Sequence, residues 1–263
     1  NRSYTTVDNI LYKLTEVAGE KEGDAPTYVI TDLMFCPQKK AGNSKVTVPG
    51  TVGNIYAKAF FLNSAVTEIE FQTLTAKSLT IGDQAFGSCK TLAKISLPEG
   101  LTSIPKRMLQ NCASLVEIVI PTTVEKIENQ AFASCTSLSK VTFTPGGTKS
   151  LEIANASSYI YSPFYNCKSL YEITFPERTT KLGNYVFGGN YSTDHGISSV
   201  TSSAIRKVTL PSTLESIGNY AFNYALYLES VTFAPKTALK DASKTVPAIG
   251  KYAFRGCAKL TSI

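Results

Sequence analysis

Apolar residues return with a fixed spacing along most of this chain. Counting from an isoleucine or leucine, an Ala-Phe pair follows at +4 and +5, Cys or Asn at +8, Leu at +11, Ile or Val at +14 and a further apolar residue at +16. The residues that serve as origins are Ile55, Ile81, Ile104, Ile127, Ile153, Leu182, Ile217 and Ile249. Similarity at a fixed period is typical of a solenoid, in which each coil packs against its neighbours.

The shortest distance between origins predicts the length of an uninterrupted coil. Residues 81, 104 and 127 are 23 residues apart, and the other spacings are longer. The surplus residues form five segments: QTLTAKS after Phe71, TPGGTKS after Phe143, ANASSYIYSP before Phe164, YSTDHGISSVTSS after Asn190 and APKTALKDASKTVP after Phe233. Because a stack of coils tolerates insertions in its loops, these segments leave the repeat intact.

Each coil combines a strand with a second, shorter element. The segment LVEIVIP at 115–121 alternates apolar and polar residues and ends at a proline, which predicts a short strand. The stretch from the origin through Ala-Phe to Cys is too short for a free helix, and we predict a turn or two of α or 3₁₀ helix held by packing. The fold predicted is a right-handed α/β solenoid of leucine-rich repeats, with a parallel concave β-sheet and short helical arcs or turns on the other side.

The repeat also resembles a known family. Its pattern C-x-x-L-x-x-I-x-L-P-x-x-L-x-x-I-x-x-x-A-F is similar to the Treponema-type, BspA-like leucine-rich repeats of bacterial surface proteins, over about residues 45–263. The departures are Met108-Leu109 in place of Ala-Phe, and Asn63, Asn190 and Ala225 in place of Cys. The resemblance implies a surface protein that adheres to host matrix or cells.

The chain divides into two regions. In residues 1–44, NILYKL and TYVIT flank a polar loop and predict a hairpin that caps the first coil, whereas residues 45–263 form the solenoid of about eight coils. Since Ile263 falls inside a strand position, we expect the native chain to continue. The chain begins at Asn1 without an initiator Met or an apolar leader, so any export signal has been removed or lies upstream, and a lipid anchor in such a segment is one means of attachment to the surface.

Cysteine recurs at the +8 position, where only small side chains occur. The residues in this column are Cys89, Cys112, Cys135, Cys167, Cys257, Asn63, Asn190 and Ala225. A disulfide, a metal site and a nucleophile are the functional alternatives to a free thiol that packs in the interior. We favour the free thiol, because the chain has no C-x-x-C motif and parallel side chains do not give the disulfide dihedral. Cys36 lies outside the column and is expected at the surface. We expect no cofactor and no metal.

Two further columns lie on the predicted strands. Charge alternates in sign along the first, which contains Lys45, Glu68, Lys94, Glu117, Lys140, Glu172 and Lys207. Opposite charges on adjacent strands favour register and solubility, and the alternative is a charge stripe that binds a ligand. The second column is a mostly hydroxyl ridge of Thr47, Glu70, Ser96, Val119, Thr142, Thr174, Thr209 and Thr232. The strand propensity of threonine is sufficient to explain why hydroxyl residues recur in this column, and contact with sugars is the alternative function.

Composition narrows the functional classes. With 43% hydrophobic and 17% charged residues the chain is too apolar for disorder, and its net charge of +6 is spread without a basic cluster, so we expect no nucleic-acid partner. No run of apolar residues is long enough to span a membrane. Serine and threonine make up about one-fifth of the chain, as in many exported proteins. We therefore expect a monomer outside the cell or on a bacterial surface.

The candidate binding residues lie in the insertions. Nine of the 14 tyrosines fall between 159 and 227, and tyrosine offers a large rigid face with a polar tip. The set predicted to contact a partner is Tyr159, Tyr161, Tyr191 and His195. His195 is the only histidine; it lies beside Asp194, but adjacency in sequence does not make a catalytic triad. We therefore predict no enzyme but a module that binds a protein or glycan, and the alternative is a structural spacer.

Overall fold

The computed structural model of the chain describes residues 3–17, 25–38, 44–192, 199–201, 203–234 and 247–263. At the N-terminal end, β1 (Tyr4–Val7), β2 (Ile10–Val17) and β3 (Thr27–Phe35) form antiparallel pairs. The turn between β1 and β2 places Asp8 and Asn9 in left-handed backbone conformation, as a tight hairpin requires. β3 then pairs in parallel with the first short strand of the repeats, which joins the N-terminal strands to the first coil.

A series of parallel strands, here called the long-strand ladder, runs along one face. Its strands are β4 (Lys45–Val48), β6 (Glu68–Phe71), β8 (Lys94–Ile95), β10 (Glu117–Ile120), β12 (Lys140–Phe143), β14 (Glu172–Thr174), β18 (Lys207–Leu210) and β20 (Ser230–Phe233). Hydrogen bonds join them in three groups, β4-β6-β8, β10-β12 and β14-β18-β20. Ile118 and Ile120 of β10 are buried while Glu117 and Val119 are exposed, which confirms the predicted alternation.

A second series of shorter parallel strands begins each coil. It contains β5 (Asn54–Ile55), β7 (Thr80–Ile81), β9 (Ser103–Ile104), β11 (Lys126–Ile127), β13 (Leu151–Ile153), β15 (Thr179–Leu182), β19 (Ser216–Ile217) and β21 (Ala248–Ile249). Every origin of the sequence repeat is the last residue of one of these strands. The insertion after β15 adds an antiparallel pair, β16 (Asn190–Ser192) with β17 (Ser199–Thr201).

Helical arcs or turns are the alternatives predicted for the remaining side, and the helical arcs are wrong. The structure has successive turns there, and the one helical element within the described ranges is a 3₁₀ turn at Tyr159–Tyr161. Six of the eight turn regions contain two residues with left-handed backbone, for example Gln84 (φ 56°) and Ser88 (φ 59°), and the other two contain one; such residues interrupt any helix. No helix in the described part of the chain is long and apolar enough for a membrane crossing.

Hydrogen bonding explains why turns replace the helix. The amides of Lys58, Phe60 and Leu62 donate to carbonyls of the next coil over 2.7–3.1 Å, while the amides between them bond within their own coil. A helix directs nearly all of its amides to its own carbonyls and so leaves none for a neighbouring coil. The turns therefore form a third ladder that joins the coils.

Phenylalanine side chains form the predicted core column. Phe60, Phe86, Phe132, Phe164, Phe187 and Phe222 are fully buried, and Phe254 is partly buried. From Phe132 onward, successive rings stack with centroids 5.1–5.6 Å apart. Leu109 takes the aromatic position between Phe86 and Phe132 and is equally buried. This confirms that the Phe spacing marks the interior.

Candidate binding surfaces

The face of the long-strand ladder carries the two predicted polar columns in register. Lys45 lies opposite Glu68, and Glu68 lies opposite Lys94. The Lys94 Nζ atom is 2.7 Å from a Glu68 carboxylate oxygen, and this hydrogen bond lowers the pKa of Glu68 and raises the pKa of Lys94. In the hydroxyl ridge, Thr209 and Thr232 lie side by side with their oxygens 3.3 Å apart. The columns therefore present alternating charges and hydroxyl groups to solvent.

A groove opens on this face where no backbone ladder joins β12 to β14. We call it the strand groove; its volume is about 940 Å³. Lining residues come from both strands and the segments that follow them: 139–143, 145–147 and 172–178. Phe143 and Phe175 lie across the gap with ring centroids 5.7 Å apart, so the groove combines apolar walls with Lys140 and Glu172 at one end. Its size lies in the upper part of the usual range for ligand sites.

Arg178 holds one end of the strand groove in place. Its guanidinium donates to the carbonyl oxygens of Pro121, at 3.0 Å, and Val124, which belong to an earlier coil. Burial lowers the pKa of Arg178 from its ordinary value. Gly147, in left-handed conformation (φ +84°), packs against the Arg178 side chain, where a Cβ atom would lie 3.1 Å from Arg178 Cδ and 2.8 Å from the Thr122 carbonyl oxygen. The arginine and the loop thus brace each other.

Two of the four residues predicted to contact a partner have described side chains. Tyr159 and Tyr161 lie in the 3₁₀ turn of the insertion before Phe164, and the Tyr159 ring meets that of Tyr165 edge-on at 6.0 Å. Tyr161 is 37% exposed. The backbone of Tyr191 belongs to β16, and His195 lies outside the described residues. That these four residues bind a partner stays a prediction.

Tyr161 borders a smaller cavity on the turn side of the molecule. The cavity, here called the polar cavity, has a volume of about 350 Å³ and is lined by Asp83, Gln84, Lys106, Arg107, Asn129, Gln130, Ser157 and Tyr161. Arg107 Nε donates to Gln130 Oε1 at 2.7 Å, and Gln130 Nε2 donates to the Ile160 carbonyl oxygen at 2.9 Å. These bonds tie the insertion to the two coils before it.

Sequence reasoning missed both the groove and an aromatic column. Tyr185, Tyr220 and Tyr252 stack with ring centroids 4.8 and 5.3 Å apart, and each has left-handed backbone (φ 57–58°). Their common +3 position in the repeat was a signal for the stack. For the strand groove, the signal was the coincidence of the TPGGTKS insertion with the end of a strand.

The cysteine column is interior, as predicted. The thiols of Cys89, Cys112, Cys135, Cys167 and Cys257 each donate to a carbonyl oxygen of the preceding coil, at 2.9–3.1 Å. All six cysteines are described, and none is in a disulfide. Burial raises the pKa of Cys89 and Cys135 to about 12, so these thiols stay protonated at neutral pH and are poor nucleophiles.

The expected surface position of Cys36 is wrong, because Cys36 is fully buried. The amide of Asn63 lies over it, with Asn63 Nδ2 3.5 Å from Cys36 Sγ and 2.6 Å from the Pro37 carbonyl oxygen. Cys36 therefore extends the column by one coil toward the N-terminal hairpin. The sequence did not reveal this position of Cys36, because Cys36 lies before the first repeat and no Ala-Phe pair precedes it.

Comparison with known proteins identifies leucine-rich-repeat proteins. A family model described as the BspA type leucine rich repeat region matches in six copies, over residues 53–192, 147–234 and 195–263. A leucine-rich-repeat protein of T. pallidum has a similar structure, with a TM-score of 0.53 and 18% identity over 98% of this chain and 90% of that chain. For a leucine-rich-repeat protein of Bacteroides ovatus the TM-score is 0.44, with 18% identity over 97% and 69%. For the pneumococcal vaccine antigen PcpA it is 0.34, with 16% identity over 88% and 70%. No curated protein sequence matches the chain.

Proposed function

The chain belongs to the BspA-type leucine-rich-repeat family, and we propose from this membership that it is a cell-surface binding module that captures a protein ligand without chemistry. The ligand is a host protein or a neighbouring surface protein. Contact is made by the face of the long-strand ladder, with the strand groove at its centre. The observation that carries the proposal is the groove itself, because it opens where the ladder between β12 and β14 is missing.

The chemistry of the strand groove suits a protein segment with an apolar anchor. Phe143 and Phe175 pack against each other with ring centroids 5.7 Å apart and form the apolar part of the groove lining, and the anchor is a side chain of the ligand that lies over them. Hot spots in protein interfaces are such buried anchors surrounded by polar contacts that exclude water. The hydroxyl ridge and the charged column on either side provide those polar contacts.

The strand groove is also supported as a rigid site. Arg178 fixes its end through two hydrogen bonds to carbonyl oxygens, and the flanking strands β10 and β18 hold β12 and β14 by complete backbone pairing. A surface formed before binding loses less conformational entropy when the ligand arrives. The proposal therefore needs no rearrangement of the coils.

The test compares two tryptophan substitutions in the hydroxyl ridge. Thr174 is exposed and lines the strand groove, whereas Thr232 is exposed in the same ridge on β20, outside it. Thr174→Trp fills the groove, so we expect it to weaken capture of the chain by immobilised matrix proteins (fibronectin, laminin and collagen) at least tenfold, which corresponds to about 1.4 kcal/mol. Thr232→Trp is the matched control, with binding within about twofold of the unsubstituted chain.

The other outcomes separate the alternatives. Replacement of Tyr159, Tyr161, Tyr191 and His195 by Ser tests the insertions, and loss of binding in that variant alone moves the site to them. Equal loss in the two tryptophan variants removes the groove from the proposal. If the unsubstituted chain captures none of the matrix proteins or surface proteins offered, the spacer function replaces the binding function.

A further inference from the structure

The polar cavity is a second candidate site, distinct from the strand groove. It lies among the turns of the coils that begin at Ile81, Ile104 and Ile127, against the insertion that carries Tyr161. Its volume of about 350 Å³ is near the lower end of the range for ligand pockets. A cavity of this size favours a ligand of about one ring over a protein segment.

The lining of the polar cavity resembles a set of partners for hydroxyl groups. One carboxylate, three amides and a serine hydroxyl offer both donors and acceptors. A ligand with several adjacent hydroxyls can therefore form hydrogen bonds with several of these groups. The Tyr161 ring is the single aromatic wall. A partly exposed tyrosine presents a flat apolar face beside a polar tip, which suits the C–H face of a sugar ring.

Two cations and one carboxylate line the cavity, so its charge is net positive. Lys106 and Arg107 are exposed, and neither belongs to an ion pair in the described part of the chain. Arg107 directs its Nε atom to Gln130, which leaves its terminal nitrogens available. A guanidinium with free terminal nitrogens pairs well with a carboxylate. The charge therefore favours an acidic ligand over a neutral one.

The walls of the polar cavity are held in place before any ligand arrives. Gln130 accepts from Arg107 and donates to the Ile160 carbonyl, and its backbone amide donates to the Tyr161 carbonyl oxygen at 3.1 Å. The backbone of Tyr161 is thus joined through Gln130 to Arg107 of the coil before. Preorganised groups of this kind lower the entropy cost of binding.

One side-chain amide in the lining, that of Asn129, has an oxygen with no hydrogen-bond partner among the described residues. The side-chain oxygens of Asn155, Asn184 and Asn219 each accept a backbone amide of the next coil, at 2.7–3.0 Å. Asn129 occupies the same position in its own coil, yet its buried Oδ1 atom has no hydrogen-bond partner. An amide oxygen without a partner is an acceptor for a ligand hydroxyl. Asn129 is the residue of this set that lines the cavity.

We propose that the polar cavity binds a carboxylated sugar, such as a hexuronate or a sialic acid at the end of a glycan. Tyr161 packs against the sugar ring, Lys106 and Arg107 pair with its carboxylate, and Asp83 and Asn129 meet its hydroxyls. This site is independent of the strand groove, so the molecule holds a protein ligand on one face and a glycan terminus on another.

Saturation-transfer NMR on the intact 263-residue chain tests the proposal, with three probes: sodium D-glucuronate, the methyl glycoside of N-acetylneuraminic acid and methyl glucoside. We expect one of the acidic sugars to bind with a Kd of about 1–10 mM and at least about threefold more tightly than the neutral glucoside. Stronger binding of glucuronate assigns a hexuronate, and stronger binding of the neuraminic acid glycoside assigns a sialic acid. Equal binding of all three, or no transfer to any, overturns the proposal.

Three variants locate the site. Tyr161→Ser should weaken binding of the acidic sugar about tenfold, and Lys106→Gln should abolish the preference over methyl glucoside with little effect on folding, since Lys106 is exposed. Tyr252→Ser, at an exposed tyrosine outside the cavity, is the matched control and should bind as before. Unchanged binding in both Tyr161→Ser and Lys106→Gln places the sugar elsewhere and overturns the assignment. Thr174→Trp should not affect sugar binding, so failure of the strand groove and failure of this site remain distinguishable.

Discussion

The Sγ atom of Cys135 lies 3.0 Å from the carbonyl oxygen of Leu109 in the preceding coil. Both residues are fully buried. A buried carbonyl that loses its donor is costly, because no water replaces the bond. The thiol column is therefore a column of hydrogen bonds between coils, and it accepts Asn63 because that amide also donates to the coil before it.

Replacement of Cys135 by alanine tests this bond. We expect Cys135→Ala to lower the free energy of unfolding by about 1–3 kcal/mol, through the lost donor and a small cavity. Cys257→Ala is the matched control and should cost less, because Cys257 is only partly buried. Urea unfolding followed by circular dichroism measures both. If the two variants lose the same free energy of unfolding, burial does not determine how much a cysteine of the column stabilises the fold.

The thiols also predict a dependence of stability on pH. Burial raises the pKa of Cys135 to about 12, from an ordinary value of 9.0 in the unfolded chain. The unfolded chain releases this proton first as pH rises, so the contribution to stability is complete below about pH 9 and is lost between about pH 9 and pH 12. The difference in unfolding free energy between the unsubstituted chain and Cys135→Ala should therefore shrink across that window. A difference independent of pH contradicts the burial of this thiol.

Thiol reactivity gives a simpler measurement. We predict six reduced cysteines, so titration with a chromophoric disulfide under denaturing, non-reducing conditions should count about six thiols per chain. In the folded chain Cys257 should react first, because its burial is incomplete and its pKa rises only to about 11. A count below about five under denaturing conditions contradicts the free-thiol interpretation.

Substitution of a buried residue should destabilise the coil more than substitution of an exposed one. Phe132 is fully buried and its ring stacks on that of Phe164, so Phe132→Ala should lower the free energy of unfolding by about 3–5 kcal/mol. Lys140 is exposed at the start of β12, and Lys140→Ala should cost less than about 1 kcal/mol. Denaturant melts of the two variants provide the comparison. Similar losses would mean that the assignment of interior and exterior positions is wrong.

Adjacent glycines in the loop beside the strand groove should respond differently to alanine. Both have left-handed backbone, which costs a residue with a Cβ atom about 1–2 kcal/mol. At Gly146 nothing lies within 4 Å of the added atom, whereas at Gly147 it meets the Thr122 carbonyl oxygen at 2.8 Å. Gly147→Ala should therefore lower the melting temperature more than Gly146→Ala, the matched control. Equal melting temperatures would show that the loop does not pack against Arg178.

The sequence by itself determined the coil. The +5 phenylalanines, the +8 cysteines and the alternation in LVEIVIP each mark positions that must face the interior or solvent in every coil, so the parallel ladders and the core column followed from one repeated pattern. The opposite charges at Lys45 and Glu68 also predicted their register across the strands. These features recur in successive coils, so they can be recognised in the amino-acid sequence alone.

Only the tertiary structure decided the features that depend on a neighbouring coil. Helix and turn satisfy the same local pattern, but the amide of Phe60 bonds to Ala85 of the next coil, and that bond selects the turn. Cys36 is buried because the hairpin brings it beneath Asn63, and Arg178 closes the strand groove by reaching carbonyls 54 and 57 residues earlier. The contacts of Cys36 and Arg178 each occur once in the chain, so no repeated pattern predicts them, and the Arg178 contacts hold the groove in which binding is proposed.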